Sequence, residues 1–80
     1  MKAYEEVIDF IASGPSPGST VSFRPSPDAS ERVAALIERE KTTSLPSEEK
    51  AELDHDIELE HIMRLAKARA RQRLANEQPR

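Results

Sequence analysis

The stretch PSEEKAELDHDIELEHIMRLAKARARQRLAN, residues 46–76, decides the fold of this chain. It contains no glycine, and its one proline stands first, followed by a serine and two glutamates that are typical of a helix start. Alanine, leucine, glutamate, lysine and arginine dominate the rest, and all five have high helix propensities. The stretch therefore predicts one helix about 45 Å long, at about 1.5 Å per residue.

Two shorter helices are predicted ahead of the long one. Apolar residues at helical spacing predict a helix over 3–13, which Gly14 and the following proline would end. Ser26-Pro27-Asp28 combines a capping serine, a proline at the first helical position and an acid, and it predicts a second helix over 27–41.

The predicted fold is all-α, with the two short helices packed on the long one. Between the short helices we expect a loop over 13–20 and a short extended segment over 21–24, where apolar and polar residues alternate. Residues 1–76 would form a single small helical domain, and residues 77–80 a disordered tail.

The chain is small, highly charged and free of cysteine. Its 80 residues are 36% hydrophobic and 34% charged, which is material for one small domain. The lack of cysteine excludes disulfides, thiolate metal ligands and cysteine nucleophiles. No apolar run approaches the roughly 20 residues that span a membrane, and acids interrupt the N-terminal stretch where a signal peptide would be apolar. We expect a cytoplasmic protein.

The net charge of −3 conceals two opposite blocks on the predicted long helix. Residues 48–63 hold seven acids and one lysine, a net −6, whereas residues 64–80 hold six bases and one glutamate, a net +5. Acids near the start of a helix and bases near its end also favour the helix dipole.

The basic block is a candidate for contact with nucleic acid, since clustered bases bind phosphates. No aromatic side chain interleaves these bases, and the alternatives are a solvated helix end or docking on an acidic protein surface. The candidate residues are Arg64, Lys67, Arg69, Arg71 and Arg73.

The predicted long helix has a broad apolar face. At about 100° per residue this face collects Leu59, Ile62, Met63, Ala66, Ala70 and Leu74. Two short helices can cover the part between Leu53 and Leu65, and we expect Ala66 to Leu74 to stay uncovered. Either a second chain covers this part, as another protein or a homodimer, or the face is a core stripe inside one chain with a solvated end. Phe23 either joins the partner surface or packs back on the helices.

Candidate catalytic and metal-binding residues are few. Glu58 and His61 have the Glu-x-x-His spacing that supplies two ligands per helix in di-iron bundles, and Asp54 shares their face. The spacing also arises by chance in an acid-rich helix, and a solvated acidic face is the favoured interpretation. No glycine-rich phosphate loop and no serine–histidine motif is present. We expect no enzyme activity, no cofactor and no metal site.

Three stretches carry a resemblance to a known family: YEEVIDFIASG at 4–14, VSFRPS at 21–26 and LEHIMRLAKARA at 59–70. Together they resemble a family of small bacterial helical proteins, frequent in cyanobacteria, that have no assigned activity. Its members are often encoded beside small HNH-type nucleases, in an arrangement similar to toxin–antitoxin pairs. The resemblance implies an antitoxin-like or accessory partner of a nuclease-type protein and transfers no catalytic residue. We therefore expect a non-enzymatic protein-interaction module, with a nucleic-acid-binding accessory protein as the alternative.

Overall fold

In a computed structural model that describes residues 2–77, the chain folds into four helices. The helices are α1 (Ala3–Ala12), α2 (Pro17–Ser22), α3 (Pro27–Thr42) and α4 (Ser47–Glu77). No strand occurs between residues 2 and 77. The prediction of an all-α fold, with short helices packed on one long C-terminal helix, is confirmed.

The signals at the helix ends act as the sequence predicts. Gly14 follows α1 with a φ of 68°, a left-handed conformation that costs glycine little. The Ser26 hydroxyl accepts a hydrogen bond from the Ala29 backbone N–H at 3.2 Å, which caps the start of α3.

The prediction for the segment between α1 and α3 is partly wrong. Its second half forms α2, so Val21 and Ser22 are helical where an extended segment was expected. Ser16 and Pro17 explain the difference, because the Ser16 hydroxyl accepts from the Ser19 N–H at 3.1 Å and proline occupies the first helical turn. Phe23, which follows α2, is not helical and has a φ of −58° and a ψ of 135°.

Residue 77, which was predicted to belong to the tail, is helical. Glu77 is the last residue of α4, and residues 78–80 lie outside the described part of the chain.

The three shorter helices all pack on α4, and α1 also contacts α3. A cluster of Leu36, Leu45 and Leu53 joins α3 to the first turns of α4, with Val33 packed against it. Leu36 is the one large side chain of residues 2–77 that is fully buried. The fold is an elongated body of 54 × 21 × 19 Å with a small core.

The expectation that α4 stays uncovered from Ala66 to Leu74 is wrong. Ala70 is buried, and Ala66 and Leu74 are half-buried. The helix α2 packs on α4, and the Lys67 ammonium donates to the carbonyl of Phe23, the residue after α2, at 2.8 Å, which places the end of α2 beside this part of α4. We infer that α2, which was not predicted from the sequence, contributes to this cover.

Candidate functional site

The apolar face predicted to bind a partner is largely used inside the chain. Met63 and Ala70 are buried, so they offer no surface to a second molecule in this structure. Phe23 packs against the ring of Phe10, with ring centroids 4.5 Å apart. This agrees with the alternative prediction that Phe23 packs back on the helices of its own chain. Four of the predicted residues are half-buried: Phe23, Leu59, Ala66 and Leu74. Only Ile62 is exposed, and it is the predicted residue most available for a contact.

Large aliphatic side chains nevertheless remain on the surface. They are Ile8, Ile11, Ile37, Ile57, Ile62 and Leu65. Each is at least 39% exposed, in a chain whose core holds a single fully buried large residue. Exposed aliphatic residues point to an interaction site where several of them lie together on one face.

One group of exposed aliphatic residues lies where α1 runs beside α4. The rings of Tyr4 and His55 are 5.2 Å apart, which places these two sides of the helices next to each other. Ile8 and Ile11 lie one and two turns after Tyr4 on the same side of α1, and Ile62 lies two turns after His55 on α4. We call Ile8, Ile11 and Ile62 the α1–α4 face.

A second group lies on the side of α4 that faces away from the other helices. Ile57 and Leu65 are 53% and 59% exposed, the largest values among the exposed aliphatic residues. His61 stands midway between them and is also exposed. We call Ile57, His61 and Leu65 the outer ridge of α4.

A cleft of about 380 Å³ opens between α1, α3 and α4. Apolar side chains such as Val7, Val33 and Met63 line most of it, and Asp56 provides a carboxylate in its wall. Glu60 and Arg64, which form an ion pair at 2.8 Å, also line the cleft.

Asp56 is 5% exposed and only half satisfied. Its Oδ1 accepts a hydrogen bond from the Tyr4 N–H at 3.0 Å, whereas its buried Oδ2 has no partner among residues 2–77. Burial raises the pKa of the Asp56 carboxyl, and the Tyr4 N–H opposes this shift without cancelling it.

The other buried acid, Glu52, is fully paired. It accepts from Arg32 at 3.0 and 3.1 Å, while Arg39 binds the neighbouring Glu49 at 2.9 and 2.6 Å. Hydrogen bonds from these arginines lower the pKa of both glutamates. The ion pairs fix α3 against the start of α4, which is a structural role.

Sequence reasoning missed both buried acids, because seven acids in 48–63 resemble a solvated face. A signal was present nonetheless. Glu52, Asp56, Met63 and Ala70 all lie within about 40° on one side of the helix, so the acids continue the apolar face.

The five predicted basic residues do not form one surface. The Lys67 ammonium donates to the Phe23 carbonyl at 2.8 Å, and its pKa is lowered by desolvation and by the charges of Arg24 and Arg71. Arg64 is paired with Glu60. Arg69, Arg71 and Arg73 are exposed and form no ion pair within residues 2–77.

Metal binding and membrane insertion gain no support from the described residues. No group of three or more histidine and acidic side chains among residues 2–77 is placed to hold a metal ion, and this includes Asp54, Glu58 and His61. None of the helices within this range is both long and apolar enough to cross a membrane.

Comparison of the chain with protein-family models, with curated proteins and with solved structures finds no match. The resemblance to the cyanobacterial-type family therefore stays a prediction.

Proposed function

We propose that this chain acts as a non-enzymatic interaction module that binds another protein through the α1–α4 face. The observation that carries the proposal is the exposure of Ile8, Ile11 and Ile62 on adjoining sides of two packed helices. A partner that covers these side chains removes apolar surface from water, at about 25 cal/mol per Å². An antitoxin-like role beside a small nuclease-type protein is the form of this proposal that the sequence resemblance suggests.

The test compares capture of partner proteins by two matched variants. The double variant Ile8→Ser, Ile62→Ser removes apolar groups from the α1–α4 face, and Ile37→Ser removes an exposed isoleucine from α3. We expect a partner captured by the wild-type chain and by Ile37→Ser to be lost, by at least about 30-fold in affinity, with the double variant. Far-ultraviolet circular dichroism checks that both variants remain helical. Equal capture by both variants would contradict the proposal.

A nucleic-acid-binding accessory role is the second candidate. The observation in its favour is that Arg69, Arg71 and Arg73 are exposed and unpaired within the described residues. We expect binding to duplex DNA or RNA at low salt that weakens with a slope of about −3 in log affinity against log salt, since three phosphate contacts release about three counterions. A gel-shift series across salt concentrations measures this slope, and no shift at the lowest salt removes the candidate.

A further inference from the structure

The outer ridge of α4 has a symmetric layout. Ile57 and Leu65 stand four residues before and four residues after His61. At about 100° per residue the three side chains follow one slowly turning line, roughly opposite the buried side that holds Asp56 and Met63. No other part of residues 2–77 covers this line, since Ile57, His61 and Leu65 are all exposed.

The outer ridge has acidic residues beside its N-terminal end and a basic residue beside its C-terminal end. Asp54 and Glu58 precede the midpoint and form no ion pair within residues 2–77, and Arg69 follows it, also unpaired. The three residues lie within about 60° of one another on the same flank of the ridge. A parallel pair of α4 helices would bring like charges together, whereas an antiparallel pair brings each acidic half against a basic half.

We propose that the outer ridge of α4 binds a second copy of this chain, antiparallel and about a two-fold axis at His61. Ile57 of each copy then lies level with Leu65 of the other, because residues equally distant from His61 on opposite sides share a level. Such a contact is isologous, the form expected of a symmetric dimer, and it also opposes the two helix dipoles.

Charge and shape fit a second copy at the ends of this contact as well. Asp54 of one copy lies level with Ala68 of the other, where the short side chain lets the helices approach. Arg69 follows Ala68 and is displaced from it by about 1.5 Å along the helix axis. In a two-fold antiparallel pair the same flank of each helix faces its counterpart, so Arg69 of one copy faces Asp54 of the other. Each dimer therefore forms two Asp54–Arg69 pairs.

Cysteine cross-linking tests the register, and the chain holds no native cysteine that would interfere. Facing Cα atoms of two closely packed helices are about 4–6 Å apart, within the range of a disulfide. We expect His61→Cys to form dimers on mild oxidation, and a mixture of Ile57→Cys and Leu65→Cys chains to form more dimer than either alone. The control Glu40→Cys, exposed on α3, should stay monomeric on denaturing gels. Absence of dimer with His61→Cys overturns the proposal, and so does equal cross-linking of Ile57→Cys alone and the mixture.

Sedimentation equilibrium tests the charge pairing without cross-links. We expect Arg69→Glu to weaken the dimer at least about tenfold, since it sets two acids against each other, and Asp54→Arg in the same chain to restore it. Both positions are exposed, and circular dichroism confirms that the variants fold. A wild-type chain that sediments as a monomer at every concentration overturns the proposal. So does a double variant that dimerises no better than Arg69→Glu.

The self-pairing and the proposed partner binding use different faces of the chain. Variants of Ile57 and Leu65 address the first, and variants of Ile8 and Ile62 address the second. Failure of one experiment therefore leaves the other proposal standing.

Discussion

Among residues 2–77, Asp56 holds the one buried side-chain polar atom that has no hydrogen-bond partner. A carboxylate on the buried side of a helix loses its hydration, and a single hydrogen bond from the Tyr4 N–H replaces only part of it. An unsatisfied buried polar atom costs about 1–3 kcal/mol. The raised pKa of Asp56 expresses this cost, because the protonated carboxyl suits the site better than the anion does.

The substitution Asp56→Asn is expected to stabilise the fold at neutral pH by about 1 kcal/mol. The amide keeps an oxygen that can accept from the Tyr4 N–H, and it carries no charge into the protein interior. As the pH falls through the raised pKa of Asp56, the wild-type carboxyl takes up a proton and the difference between the two proteins shrinks. Urea denaturation at neutral and acid pH measures both effects.

The matched control is Asp9→Asn on the exposed side of α1, for which we expect little change in stability. A stability difference between wild type and Asp56→Asn that is independent of pH would show that folding does not raise the pKa of Asp56.

At the scale of the helices, α2 and α3 both begin with a serine followed by a proline, but the two serines make different contacts. The hydroxyls of Ser16 and Ser26 cap α2 and α3, and a proline follows each of them. Ser26 does more than cap its helix. Its hydroxyl donates to Glu6 at 2.6 Å and its backbone N–H donates to the same carboxylate at 2.8 Å, which connects α1 to α3 and lowers the pKa of Glu6.

We therefore expect Ser26→Ala to destabilise the protein more than Ser16→Ala does. Loss of a serine cap costs about 1 kcal/mol, and Ser26→Ala also removes one of the two hydrogen bonds to Glu6. Chemical denaturation of the two variants side by side measures the difference. Equal losses, or a larger loss for Ser16→Ala, would contradict the coupling between α1 and α3.

The helices that run for ten or more residues were predictable from sequence, whereas the six-residue α2 was not, although it has the same Ser-Pro start as α3. The ends of α1, α3 and α4 follow from Gly14, from the Ser26-Pro27 pair and from the unbroken run after Pro46. The six residues of α2 include a glycine and β-branched side chains, so propensity argues against a helix there and tertiary packing on α4 outweighs it.

The candidate site was predicted only in part for the same reason. When α2 is not predicted, Ala66, Ala70 and Leu74 look like an uncovered apolar face. They were therefore predicted to bind a partner. Ile62 was identified from periodicity alone, whereas the exposure of Ile8 and Ile11 depends on how α1 is rotated against α4. Rotation of packed helices is a property of side-chain contacts far apart in sequence, which a single sequence does not specify.

At the scale of the whole molecule, the chain depends on a very small core. Leu36 is fully buried at the junction of α3 and α4, and few other large side chains lie close to complete burial. Domains of this size rarely obtain more than about 3–5 kcal/mol from their core. The ion pairs between α3 and α4 lie around the same junction.

Replacing the central core residue should therefore remove most of the stability. We expect Leu36→Ala to cost about 2–5 kcal/mol, enough to leave much of the population unfolded. The adjacent Ile37→Ala, at a position 39% exposed, should cost less than about 1 kcal/mol. Thermal unfolding followed by circular dichroism distinguishes the two. Similar melting curves for both variants would mean that the cluster around Leu36 contributes little to the fold.

The order of the helices along the chain has a consequence during synthesis. All three short helices rest on α4, and α4 is the last of the four to leave the ribosome. Isolated helices of six to sixteen residues are marginal in water, so the first three have no stable platform until the turns of α4 that they contact have been synthesised. We therefore expect the part of the chain before α4 to lack stable structure, with its isoleucines exposed to chaperones, until α4 emerges.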